Sequence, residues 1–186
     1  MIPRVTITVA FVLAVVGLGS YWLLTRPTPE ENVLRAFFTE FRQGHYEEAQ
    51  AFTADDDFYK MAAATSVRDT DGSQYLIGDY FPEDRSGILR MAIESYVRPH
   101  VRKWHYLSMD TQRLSADESV VTFRLEVAIR DYTSGNLFGD THEGRVEGKA
   151  FMKRENAKWF VEKLELNLFS DGGLKLAPYL KQVSYD

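Results

Sequence analysis

The sequence predicts an α+β fold, because apolar residues recur at helical spacing in its first half and alternate at strand spacing in its second. A third observation stands ahead of both: an apolar run from Val5 to Leu24, flanked by Arg4 and Arg26. The expected architecture is a single transmembrane helix followed by N-terminal helices packed on a curved antiparallel sheet.

At 1.5 Å rise per residue, a helix over Val5 to Leu24 is about 30 Å long, the thickness of a bilayer's hydrocarbon core. A secretory signal also begins with a charge and an apolar core, and Gly17, Gly19 and Ser20 are small enough to precede a cut. The apolar character resumes, however, at Tyr21, Trp22, Leu23 and Leu24, where a signal normally turns polar. An uncleaved anchor is therefore expected, with Tyr21 and Trp22 at the membrane interface and the amino terminus in the cytoplasm. That places the domain on the periplasmic side of a bacterial-type inner membrane.

Residues 29–186 hold 20 of the 22 Lys and Arg residues and all 27 Asp and Glu residues, a formal charge of −7. So acidic a domain is a poor fit to nonspecific nucleic-acid binding, which neutralises phosphates with Lys and Arg. The chain has no cysteine, which removes disulfides, thiolate metal sites and cysteine nucleophiles together. The expected division is an anchor and linker over 1–28, one folded domain over 29–169, and a tail over 170–186.

The domain opens with Thr28, Pro29 and Glu31: an N-cap, a first-turn proline and the acidic partner of a capping box. Val33, Leu34, Phe37, Phe38 and Phe41 then repeat at helical spacing until Gly44. Tyr46, Ala49 and Phe52 mark a short second helix. Phe58 to Ala64 forms a third, behind the acidic Asp55, Asp56 and Asp57 that suit a helix N-terminus. Thr65 to Asp84, rich in Asp, Gly and Ser, reads as a surface loop, and Ser86 to Val97 as a further helix stopped by Pro99.

Beyond Pro99 the period becomes two. Trp104 to Arg113 reads as a strand; Val121, Phe123, Leu125, Val127 and Ile129 alternate with polar neighbours; Val146, Gly148, Ala150 and Met152 repeat the pattern. The last strand runs through Trp159, Val161, Leu164, Leu166 and Leu168, its phase slipping near Lys163 as at a bulge.

The opening helix with Phe41 to Ala49 (FRQGHYEEA), and the closing hairpin GKAFMKRENAKWFVEKLEL, resemble the nuclear-transport-factor-two-like superfamily. This includes ketosteroid isomerases, polyketide cyclases and noncatalytic extracytoplasmic domains. The resemblance covers roughly residues 29 to 169. It implies a cone-like domain with a pocket between helices and sheet, lined here by Phe37, Phe41, Phe123, Leu125, Val127 and Trp159. His45 stands where the family commonly has an aspartate, and Asp55 to Asp84 is longer and more acidic than a minimal cone requires.

No acid–base set is expected in that pocket. The two clearest strands turn only apolar or glycine positions inward, whereas general acid–base catalysis needs a placed carboxylate, His or Tyr. Tyr106, on the earlier strand, is left open as an inward residue. His100 and His105 do not share a strand face, and His142–Glu143 fails the H-E-x-x-H zinc motif at Val146. Asp69, Asp71 and Ser73 imitate the first ligands of a calcium loop, but Gln74 and Tyr80 stand at its sixth and twelfth positions, so a solvated loop is expected. Arg98, His100, Arg102 and Lys103 read as a charged strand edge.

The leading functional reading is a noncatalytic binding module, an accessory subunit docking on another membrane or extracytoplasmic protein. Carriage of a small apolar ligand or lipid is the second, and an isomerase, dehydratase or cyclase the third. No cofactor and no nucleic acid are expected, and a homodimer is left open. The expected partner surface combines Gly17 and Gly19 in the anchor with Leu174, Leu176, Tyr179 and Leu180 in the tail, the alternative being that the tail folds back over its own sheet.

Overall fold

Thr28 caps the first helix as its sequence predicts, its hydroxyl accepting from the Glu31 amide at 3.2 Å, and the chain is helical from Pro29–Gln43 (α1) until Gly44 turns left-handed at φ 81°. The computed structural model describes residues 26–69, 71–81, 87, 101–131 and 140–170. The apolar run, the body of the helix expected over Ser86 to Val97, and the tail with Leu174, Leu176, Tyr179 and Leu180 lie outside these residues, as do Gly17 and Gly19. Among the described residues, no helix is long and apolar enough to cross a membrane.

After α1 come Tyr46–Gln50 (α2), a 3-10 turn at Ala54–Asp56, and Phe58–Ala63 (α3), whose N-cap Asp57 accepts from the Lys60 amide at 2.9 Å. Six strands follow: Ser66–Arg68 (β1), Gln74–Leu76 (β2), Val101–Arg113 (β3), Glu118–Asp131 (β4), Asp140–Glu155 (β5) and Lys158–Ser170 (β6). They form one sheet in the order β2-β1-β6-β5-β4-β3. The four long strands are an antiparallel meander.

Two expectations are corrected here. The segment read as a surface loop from Thr65 to Asp84 contains β1, β2 and a 3-10 turn at Ile77–Asp79, with Thr65, Val67, Asp69 and Phe81 buried. The sheet is mixed rather than antiparallel, because β1 runs parallel to β6, with Val67 paired to Leu166. Three-residue strands carry too little alternation to be read locally, and the strand that joins this hairpin to the sheet, β6, lies about a hundred residues from β1. Asp69 is accordingly not a solvated loop residue: it closes the β1–β2 turn, its amide donating to the Ser73 carbonyl and its carbonyl accepting from Gly72.

The phase slip near Lys163 is a bulge, since Phe151 pairs with Lys163 and Met152 with Val161, leaving Glu162 between them. Two further register shifts interrupt β3, between Val101 and Lys103 and between Tyr106 and Ser108. Such bulges bend their strands and curl a sheet around whatever packs on its inner face. Here that is a single apolar cluster joining Leu34, Phe37 and Phe38 of α1 and Phe58 and Met61 of α3 to Phe123, Leu125, Trp159 and Val161 of the sheet.

Candidate functional site

One stripe of α1, formed by Thr28, Glu31, Arg35 and Phe38, recurs at three- and four-residue steps and faces the edge strand β3. Its contacts climb the strand in reverse order. At the helix start, Thr111 donates to Glu31 Oε1 at 3.0 Å, so the 2.8 Å contact between the Thr28 and Thr111 hydroxyls is donated by Thr28. The predicted capping box is thus half formed, since the Glu31 carboxylate is drawn to Thr111. Beside it, the fully buried Glu30 accepts from Arg113 Nε at 2.9 Å, while its Oε2 has no partner.

Further along, the Arg35 guanidinium lies 4.8 Å from the centre of the Tyr106 ring, and Phe38 packs against Trp104 with ring centres 5.4 Å apart. Trp104 and Tyr106 meet edge to face at 6.4 Å. Both project inward because they stand two apart on one strand, which settles the orientation left open for Tyr106. Burial raises the Tyr106 phenol above the usual tyrosine range, opposed in part by the Trp104 indole and by the positive charges of Arg35 and Arg42. The phenol is therefore a hydrogen-bond donor at neutral pH. Arg35 Nε is buried without a hydrogen-bond partner, and Trp104 Nε1 faces the Tyr106 hydroxyl without meeting it in a full hydrogen bond.

This contact between α1 and β3 places a cation and an indole N–H beside aromatic rings. Among the described residues, no carboxylate or histidine is hydrogen-bonded to Arg35, Trp104 or Tyr106.

The residues expected to line a pocket lie together. Phe37, Phe123, Leu125, Val127 and Trp159 are buried members of the apolar cluster, and Phe41 packs on its edge, stacked 5.8 Å from Phe58. His45 is the residue before α2, its Nδ1 2.9 Å from Glu40, and His105 is exposed. Lys103, on the edge strand β3, is exposed and paired with Glu126; Arg98 and His100 of the charged stretch lie outside the described residues. Among the described residues, no group of three His, Asp or Glu side chains is placed to hold a metal ion. Arg35 was not singled out from the sequence; the signal was its place on the Thr28, Glu31, Phe38 stripe.

Helices on the inner face of a curled meander have a counterpart in a protein with a cystatin-like fold from Caulobacter vibrioides. The match has a TM-score of 0.50 at 9% identity and covers 76% of this chain and 87% of that one. A ketosteroid isomerase-like protein from Erwinia carotovora atroseptica matches with a TM-score of 0.49 at 11% identity, over 75% of this chain and 92% of that one. An NTF2-like protein from Cytophaga hutchinsonii matches with a TM-score of 0.45 at 11% identity, over 73% and 92%. The fold is that of the cystatin-like Caulobacter protein, helices packed on a curved sheet. No protein-family model and no curated protein sequence matches the chain. At such identities the likeness is one of fold, and function has to be argued from the cone's own side chains.

Proposed function

We propose that this cone is a noncatalytic binding module, held at the membrane by Val5 to Leu24 and docking on another membrane or extracytoplasmic protein as an accessory subunit. The observation that carries this reading is the interior: the side chains that would line a reaction pocket are packed against one another. Among the described residues, the inward polar groups between α1 and β3 bring no acid–base pair with them. In this reading residues 1–28 are anchor and linker, 29–169 the cone and 170–186 the tail. The amino terminus is cytoplasmic and the cone periplasmic. Gly17, Gly19 and the apolar tail residues Leu174, Leu176, Tyr179 and Leu180 form the contact with the partner.

Deleting residues 174–186 tests it. The partner that co-purifies with the full chain in mild detergent should be lost while the cone stays folded and membrane-bound. Unchanged co-purification, or an unfolded cone, contradicts the assignment.

A second reading, carriage of a small ligand, is favoured by one observation: the buried, unpartnered Arg35 Nε and the Trp104 indole lie beside the Tyr106 ring. Such donors suit an apolar molecule with one acceptor, for which oleate is a direct probe. A saturable change in tryptophan emission on adding oleate that Trp104→Phe removes supports carriage, and its absence leaves the docking module.

A further inference from the structure

We propose that the seam between α1 and β3 is a carboxylate site, and that the ligand of the carriage reading, on which this rests, is an apolar monocarboxylic acid whose head meets Arg35, Arg42 and Tyr106.

Arg35 and Arg42 stand seven residues apart on α1, two turns along one face. Elsewhere on the domain Lys103, Arg113, Arg124, Lys153 and Lys163 are each paired with a glutamate. Among the described residues neither Arg35 nor Arg42 is in an ion pair, although the domain's formal charge is −7. The acidic residue on the same helix face, Glu31, accepts from Thr111, and Glu30 is matched by Arg113. With both counted, the described seam is still net positive. Across β4, the residues paired with Trp104 and Tyr106 are the apolar Val127 and Leu125.

Both arginines act on one point, since their charges oppose the effect of burial on the Tyr106 phenol and favour its ionised form. The same field favours the anion of a ligand placed there. The donors lie together: the Arg35 guanidinium is 4.8 Å from the centre of the Tyr106 ring, with its Nε unpartnered, and the Tyr106 hydroxyl carries its proton at neutral pH. Arg35, Trp104 and Tyr106 are each half-buried, so a ligand's head meets them without entering the packed core. Phe38, Trp104 and Tyr106 offer aromatic surface to an apolar chain beside that head. A guanidinium grips a carboxylate through two parallel N–H···O bonds, which a neutral amide with one carbonyl oxygen cannot accept.

The test uses the full chain in phosphatidylcholine nanodiscs and reads the part of the tryptophan emission that Trp104→Phe removes. Octanoate is compared with octanamide, its neutral analogue, at neutral pH. Octanoate should bind at least about tenfold more tightly. Arg35→Gln should abolish that preference while leaving the octanamide affinity within about twofold, and Arg35→Lys, which keeps the charge without the fork, should retain part of it. Arg42→Gln, at an exposed position, should weaken octanoate by about two- to threefold. Equal affinities for acid and amide, or a preference that survives Arg35→Gln at unchanged thermal stability, overturn the carboxylate site and leave carriage standing. If oleate, octanoate and octanamide all leave the emission unchanged, the carriage reading falls and the carboxylate site with it.

Discussion

Gly148 pairs directly with Phe123 across β4 and β5, and the Phe123 ring occupies the space that a Cβ at position 148 would need. The ring atom Cε1 would lie 2.8 Å from such a Cβ, and Phe123 has no room to withdraw, being fully buried and packed edge to face on Phe38 with ring centres 5.2 Å apart. Gly148→Ala should therefore destabilise the domain by about 1 to 3 kcal/mol through overpacking. Thermal unfolding should show a midpoint lower by roughly 3 to 10 °C. Combining it with Phe123→Leu should cost less than the sum of the two single changes, because they share one space.

The Glu30–Arg113 pair predicts an asymmetry. Removing Arg113 leaves a fully buried carboxylate without its counter-charge, whereas Glu30→Gln removes the charge itself. Arg113 is 62% exposed, so the loss falls below that of a wholly buried pair: about 2 to 3 kcal/mol for Arg113→Ala, and less for Glu30→Gln. Denaturant unfolding of the two variants checks this, and equal costs would contradict the pairing.

Alkaline pH should weaken the fold. Burial raises the Tyr106 phenol, and burial together with the charges of Asp69 and Tyr80 raises that of Tyr75, whose hydroxyl lies 3.5 Å from Asp69 Oδ2. A group whose folded pKa is raised binds its proton more tightly in the fold. Its contribution is complete below the unfolded tyrosine value of about 10 and is lost as pH rises through the folded one. Stability should decline above about pH 10. Tyr75→Phe and Tyr106→Phe should flatten that decline, and Asp69→Asn should bring the Tyr75 phenol down in an ultraviolet titration.

Trp159 separates a packed core from a working pocket. It is 8% exposed within the apolar cluster, and Trp159→Ala should cost about 3 to 5 kcal/mol. Unchanged thermal stability with loss of oleate binding would favour the carrier reading.

Much of the cone was legible because its elements are marked locally. Thr28 and Gly44 delimit α1 as their capping chemistry predicts, and strict alternation placed the inward faces of β4 and β5. The bulge at Glu162 showed as a slipped phase. The β1–β2 hairpin was not legible, since three residues cannot express a period and Val67 is buried by pairing with distant β6. The α1–β3 cleft was half legible. Tyr106 and Trp104 declare a shared face, but Glu30 and Arg113, Thr28 and Thr111 meet across more than eighty residues, and nothing local announces such pairs.

The central claim, a cone held outside the cytoplasm by an uncleaved anchor, is tested most directly by protease added to intact spheroplasts. The account predicts that the cone is digested and a membrane-bound fragment containing Val5 to Leu24 remains. Protection of the cone until the cells are lysed, or recovery of a soluble chain beginning near Ser20, would contradict it.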